Sequence, residues 1–226
     1  MAEVIEAQPD EIYDIELEHS LLEANEKLAK ENRALLDRNG STAIDFMGAI
    51  GSGKTTLIAK LVEKLKDRFG VGVFNGDATT SDDADQIERF GVPVVQIATI
   101  NGCHLDANLV GKGLRKIDLS RTKLIFVENI GNLICPAEFP LGSKARVVVV
   151  SVTEGPWMVR KHPHMFLGAQ IVVINKVDMA EAMGVSVDAL ARDVHTLKPD
   201  IKVIPTSCKT GQGIDRVAET LLSISQ

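Results

Sequence analysis

The chain has 226 residues, of which 45% are hydrophobic and 4% aromatic, and a formal net charge of −6 at pH 7. That length supports one sizeable α/β domain with an appended segment, its core built mainly from Val, Ile, Leu and Ala. The acidic balance argues against a protein that works by gripping nucleic-acid phosphates. No run of about eighteen apolar residues suggests a membrane span, and the acidic start MAEVIEAQPDEIYDIELE is unlike a secretory leader, so a cytoplasmic protein is expected.

In chain order, residues 10–38 have helical composition, with Leu21, Leu22, Asn25, Leu28, Leu35 and Leu36 set among Glu and Lys. Asn39-Gly40 is a stop signal, which divides the chain into an N-terminal helical extension, 1–40, and a domain, 41–226. From Thr42 short apolar runs alternate with helical stretches. The expected strands are Ala43–Met47, Val71–Asn75, Val94–Ala98, Lys123–Glu128, Arg146–Ser151, Ile171–Asn175 and Lys202–Thr206; helices are expected over Thr55–Phe69 and Asp188–Leu197, among others. Runs such as IFVEN, VVVVS and IVVIN are apolar at consecutive positions, as strands covered on both faces must be. Alternating βα units imply a three-layer α/β fold with a mostly parallel central sheet and helices on both faces. Ligands in such sheets sit beyond the carboxyl ends of the strands.

The first strand runs into Gly48-Ala-Ile-Gly51-Ser52-Gly53-Lys54-Thr55, a full match to GxxxxGK[ST] between a strand and a helix. Its glycines let backbone N–H groups and a helix N-terminus wrap a phosphate, which makes the fold a P-loop NTPase fold. Lys54 is expected to reach the β- and γ-phosphates, Thr55 to bind Mg²⁺ through its hydroxyl, and Thr56 to complete the phosphate contacts. After the strand KLIFV comes Glu128-Asn-Ile-Gly131. In GTPases a carboxylate and a glycine at this spacing serve Mg²⁺ and the terminal phosphate; the carboxylate here is Glu rather than Asp, one methylene longer. Lys54 and Glu128 are the residues expected to act in hydrolysis. Asp77 and Asp83 are further carboxylates that could face Mg²⁺ or could simply cap turns.

Asn175-Lys176-Val177-Asp178 follows the strand IVVIN and matches NKxD. A carboxylate at this place accepts from N1–H and the 2-amino group of guanine, two donors that adenine lacks, so the nucleotide is expected to be GTP. Lys176 would lay its stem over the base and Asn175 would tie the loop to the P-loop. Ser207-Cys208-Lys209 resembles the SAK loop that closes over guanine.

Three cysteines, Cys103, Cys135 and Cys208, are too few and too odd in number for a disulfide framework. Cys103-His104 lies in the turn TINGCH and Cys135 four residues beyond Gly131, both in polar turns on the carboxyl side of the sheet. Two thiolates and an imidazole are good ligands for Zn²⁺ or Ni²⁺ and leave a fourth position open. Cys135 also hangs from the segment that must move when a γ-phosphate is lost.

With these residues in view, the chain resembles the hydrogenase nickel-incorporation GTPase family, HypB, from about Leu21 to the C-terminus. DFMGAIGSGKTTLI, GCHLDA, FVENIGNLICPAEF, TEGPWMVRKHP and VINKVD carry the likeness most specifically. The resemblance implies a cytoplasmic GTPase that forms a homodimer with GTP and helps place nickel in the large subunit of [NiFe]-hydrogenase. It also implies a second small nickel protein (HypA) as a partner, and Cys103, His104 and Cys135 as the metal ligands. Some members carry an N-terminal cysteine motif or a histidine-rich tract; with no Cys and only His19 there, neither function is expected. No glutamine or arginine finger is evident, so turnover is expected to be slow. Two other readings stand beside this one: a nickel GTPase serving urease, whose Cys-Pro-His motif is not seen, and a regulatory switch with structural cysteines. His162 and His164 read as surface or helix-start residues, Trp157 and Met158 as packing or interface residues, and His195 as an ordinary exposed one.

Overall fold

The computed structural model describes residues 11–76, 87–97 and 103–225, with side chains from residue 20 onward. In chain order it contains α1 (Glu11–Arg38), β1 (Thr42–Met47), α2 (Lys54–Leu65), β2 (Val71–Asn75), β3 (Val94–Gln96), α3 (Ala107–Leu114) and β4 (Leu124–Glu128). There follow α4 (Cys135–Glu138), β5 (Ala145–Ser151), α5 (Met158–Lys161), α6 (His164–Leu167), β6 (Ile171–Asn175), α7 (Val187–Leu197), β7 (Lys202–Pro205) and α8 (Ile214–Ser225). Short 3₁₀ turns follow β5 and β6, at Val152–Glu154 and Val177–Met179.

The seven strands form one sheet in the order β3-β2-β4-β1-β5-β6-β7, and every pairing is parallel. Consecutive apolar residues in each strand point alternately to the two faces, so each face has its own core. Phe46, Phe126, Val147, Val149 and Val173 pack with Leu57, Leu61 and Leu65 of α2 and Val217 and Leu221 of α8. On the other face Val148, Val150, Val172 and Ile174 meet Val159, Phe166, Leu190 and Val194. Beside them Ala43, Ile125 and Val127 meet Leu36 of α1 and Val110 and Leu114 of α3. The sheet is thus the middle of three layers, with β1 between β4 and β5.

Two expectations about the elements need correction. The helix after the P-loop starts at Lys54 and ends at Leu65 rather than Phe69. The chain turns early because the Gly70 carbonyl must reach the amides of Lys123 and Leu124 at the foot of β4, at 2.7 and 3.0 Å. In α1 the buried positions are Asn25, Ala29, Asn32 and Leu36, whereas Leu21 is 56% exposed. That spacing of four, three and four is one helical face, and half of it is amide rather than leucine. Asn25 donates to Pro140 O at 2.9 Å and accepts from Ala107 N at 2.8 Å; Asn32 donates to Ala107 O at 2.7 Å and to Leu141 O at 3.1 Å. These groups belong to the first residue of α3, whose N–H has no partner within the helix, and to the irregular chain after α4, where a leucine would leave buried backbone groups unpaired. The helix closes at Gly40, φ +59°, with Gly40 N bonded to Asp37 O and Ser41 N to Leu36 O, a Schellman pair. The expected strand end at Ala98 lies outside the described residues, where β3 is seen as far as Gln96.

Candidate nucleotide and metal site

β1 delivers its last residue, Met47, into the loop 48–53, and α2 begins at Lys54. Gly53 is left-handed (φ +96°), and a Cβ there would strike the Asn175 amide. Only glycine gives both the turn and the clearance. Ser52 and Lys54 are buried; the Lys54 ammonium donates to Gly48 O at 3.0 Å and Ala49 O at 3.1 Å, so it sits inside the loop it serves. The Thr55 hydroxyl, in the first turn of α2, donates to Glu128 Oε1 at 2.5 Å at the end of β4. A hydroxyl and a carboxylate side by side at the mouth of a phosphate loop are hard oxygen donors of the kind Mg²⁺ takes. A cleft of about 280 Å³ opens there, lined by Ile50, Gly51, Gly53, Thr55, Thr56 and Gly131 among others. Gly131 lies against Ile50, with no room for a side chain between them. Asp77 and Asp83 lie outside the described residues.

The end of β6 closes on the same loop. Asn175 is buried; its amide donates to Ser52 O at 3.0 Å and its carbonyl accepts from Thr206 Oγ1 at 3.2 Å. Lys176 has φ +60°, the single left-handed non-glycine among the described residues, and its ammonium donates to Gly51 O at 2.6 Å rather than lying free. Held backbone of that kind gathers at ligand sites. Asp178 is exposed. Ser207 is buried, and its backbone bonds to Gln212 O and Gly211 N shape the turn carrying Cys208 and Lys209. Burial pushes the Cys208 thiol up from its usual value, opposed by hydrogen bonding to Asn175. That thiol is a packing group.

Cys103, His104 and Cys135 come together: one ligand atom from each lies within 4.8 Å of the other two. Tetrahedral Zn–S bonds of about 2.3 Å set two sulfur ligands about 3.8 Å apart; Cys103 Sγ and His104 Nδ1 already lie 3.5 Å apart, so an inward adjustment of about 1 Å lets all three groups share a metal. Sharing a hydrogen bond with Cys135 raises the Cys103 thiol above its usual value, and burial adds to this. Burial lowers the His104 imidazole against the pull of Asp106 and Glu138, which favours the neutral form that binds metals. His104 stacks on Phe139 with centroids 3.8 Å apart and planes 25° apart, so the ring is held by the chain that also bears Cys135.

Several functional neighbours escape a motif reading. Phe139 is one. Asn132 is another: it bridges to Gly48 of the P-loop and donates to Cys103 O at 3.2 Å. Glu154 accepts from Ser151 N at 2.7 Å and feels the charges of Lys54 and Lys176, while burial raises its carboxyl above the ordinary range. Asp45 and Asn129, both buried, and the half-buried Arg146 form a network that runs from the end of β4 across β1 to the amino end of β5. A charged residue inside the apolar run TAIDFM was the available signal for it. Of the remaining residues singled out, His195 is exposed with its ring 3.2 Å from Ile201 O, His164 is exposed and His162 half-buried, and Trp157 is 55% exposed beneath the Arg160 guanidinium while Met158 is buried. A groove of about 490 Å³ between α1 and the amino end of β5, lined by Lys30, Arg33, Lys144 and Arg146, belongs to neither motif.

The family model described as the CobW/HypB/UreG nucleotide-binding domain matches residues 42–205. The chain is 45% identical over 205 residues to the probable hydrogenase maturation factor HypB of Methanocaldococcus jannaschii, covering 91% of this chain and 93% of that one. Among solved structures it resembles the hydrogenase maturation factor HypB of Archaeoglobus fulgidus, with TM-score 0.85 and 41% identity over 90% of this chain and 99% of the other. It also resembles HypB of Helicobacter pylori in complex with nickel, with TM-score 0.85 and 33% identity over 89% and 95% of the two chains.

Proposed function

This chain belongs to the HypB family within the CobW/HypB/UreG group of P-loop nucleotide-binding proteins, and from that membership we propose that it is a GTP-hydrolysing metallochaperone for [NiFe]-hydrogenase. The observation that carries the reading is the convergence of Cys103, His104 and Cys135 on one point, with Cys135 on the segment that continues from Glu128 through Gly131.

In this reading residues 1–40 are an extension and residues 41–226 the GTPase domain. Gly48, Gly51, Ser52, Gly53, Lys54, Thr55 and Thr56 cradle the phosphates. Asn175, Lys176 and Asp178 with Ser207, Cys208 and Lys209 enclose guanine. The carboxylate of Asp178 takes the two guanine donors, and Asn175 and Lys176, both bonded to the P-loop, set the base at a fixed distance from the phosphates. Thr55 and Glu128 would hold Mg²⁺, which when bound neutralises charge on the transferring phosphoryl group. Lys54 supplies a fixed positive charge from within the loop, and the Gly131 N–H meets the terminal phosphate. Such chemistry is mostly positioning, and among the described residues no group evidently orients the attacking water, so slow turnover is expected.

Nickel, or zinc in its place, is the cargo. Cys103, His104 and Cys135 take it as a neutral imidazole and two thiolates. GTP draws the Gly131 segment toward the phosphate, hydrolysis relaxes it, and the coordination at Cys135 changes with it. The exposed Ile50 and Ile134, 83% and 64% exposed beside the two sites, are suited to a GTP-dependent homodimer contact. A HypA-like nickel protein and the hydrogenase large subunit are the proposed partners in the cytoplasm. Among the described residues no helix is long and apolar enough to cross a membrane. The names borne by the relatives favour hydrogenase over urease as the recipient.

The test is anaerobic Ni²⁺ and Zn²⁺ titration of the GDP-bound and GTP-analogue-bound forms with molar mass followed alongside. We expect metal affinity and molar mass to differ between the two forms. Equal affinity in both, with a monomer throughout, would overturn the proposal.

A further inference from the structure

Asn129 sits between the Mg²⁺-side carboxylate Glu128 and the segment Ile130-Gly131, and it is 1% exposed. Its side-chain carbonyl accepts two backbone N–H groups at once: its neighbour Ile130 at 3.0 Å, and Leu105 at 3.1 Å. Leu105 directly follows Cys103-His104. The amide nitrogen of Asn129 donates to Asp45 Oδ1 at 3.1 Å, in the middle of β1. The other Asp45 oxygen takes Arg146 Nε at 3.0 Å, and Arg146 Nη1 donates to Ala137 O at 2.9 Å, two residues beyond Cys135. The chain of contacts therefore begins at one metal-ligand turn, passes the phosphate segment, crosses β1 and β5, and ends at the other metal-ligand turn.

A buried ion pair is an inefficient way to stabilise a sheet. Apolar residues of similar size often do as well or better, and in some proteins such pairs are kept because they define an arrangement. Burial pushes the Asp45 carboxyl upward, and Arg146 and Asn129 pull against it; the ends of the network show what that arrangement is for. Each end grips a main-chain group within two residues of a metal ligand. The middle grips the first N–H of the segment that meets a terminal phosphate. Because one carbonyl oxygen serves both Ile130 and Leu105, the two backbones cannot separate without breaking a buried hydrogen bond.

We propose that Asn129, backed by Asp45 and Arg146, is the positioning residue through which the nucleotide state reaches the metal site. This rests on the reading above that metal affinity depends on which nucleotide is bound. Movement of Ile130-Gly131 carries the shared Asn129 carbonyl with it and turns the Cys103-His104 loop, while the Asp45–Arg146 pair passes the same movement to the Cys135 loop through Ala137 O. Asn132, bonded to Cys103 O nearer the surface, is a weaker second link.

The experiment compares Ni²⁺ dissociation constants of the full-length chain at saturating GDP and at a saturating non-hydrolysable GTP analogue. Saturation keeps changes in nucleotide affinity out of the ratio of the two constants. A residue that merely supports the fold would weaken both constants alike and leave the ratio intact. Asn129→Ala is expected to bring the ratio at least about fivefold closer to one, a typical coupling effect. Arg146→Lys, which keeps the charge beside Asp45 but loses the second grip on Ala137 O, is expected to reduce it less, and it serves if Asn129→Ala does not fold. A wild-type ratio of one would sink this relay, and with a monomer throughout it would sink the metallochaperone reading as well. A wild-type ratio far from one that persists in the variants would sink the relay alone.

Discussion

The nucleotide half and the metal half of the molecule are built to different standards. Ser52, Lys54, Glu128 and Asn175 are all at least nine-tenths buried and fixed by strands ending in a rigid sheet. Cys103 is exposed, and His104 and Cys135 are half-buried on short turns. The first half has the architecture of a receptor that is ready before its ligand arrives. The second leaves its ligand atoms at the surface, with orientation supplied by neighbours: Phe139 under His104 and Asn132 on Cys103. A site that must surrender its cargo has reason to be held in this indirect way, because a neighbour can be moved more cheaply than a ligand.

That contrast can be broken at either end. The largest effect is expected from Asp178→Asn, which reverses one hydrogen-bond partner at the base: preference for GTP over the xanthine nucleotide should fall by about 10⁴-fold. Competition binding with the two nucleotides checks it, and metal affinity with GDP bound should hardly move. Next, Cys135→Ala should weaken Ni²⁺ binding by at least about 100-fold, since even outer neighbours of a metal are worth about 10- to 100-fold. Isothermal titration should then find GDP binding intact; parallel loss of both would mean the halves are not separable. Phe139→Ala removes only the surface on which His104 rests, and about a tenfold loss of metal affinity is expected, with Phe139→Trp restoring much of it. The smallest effect is expected from Asn25→Ala, which removes a partner of the first N–H of α3 and should lower stability by about 1 kcal/mol. Thermal unfolding measures that, and an unchanged midpoint would show that α1 lies on the domain without bracing it.

The two halves were also unequally legible in the sequence. GSGKT and NKVD could be read because each encodes a backbone demand in a few adjacent residues: a left-handed turn at Gly53, a reach from Asn175 to Ser52. The alternation of apolar runs announced the parallel sheet for the same local reason. The meeting of Cys103 with Cys135 needed the topology, and it could be anticipated only because both follow strands whose carboxyl ends share one edge. What stayed hidden was the support. Of the stripe Leu21, Leu22, Asn25, Leu28, Leu35 and Leu36, the structure buries Asn25 and Leu36 and exposes Leu21, and it adds Ala29 and Asn32, because part of the surface covered consists of backbone groups that need amide partners. Likewise Asp45 gives no sign of its partners, since Asn129 and Arg146 are brought to it from other strands by the sheet order.

Gly53 shows how closely phosphate and base recognition are tied. The space its missing side chain leaves is occupied by the amide of Asn175, so the two positions, far apart in the chain, cannot vary independently. In a genetic screen a substitution at 53 would be scored as a defect in telling one base from another as readily as a defect in holding phosphate. Its suppressors should be sought around residue 175 rather than within the loop itself; to the organism, the two codons behave as one locus.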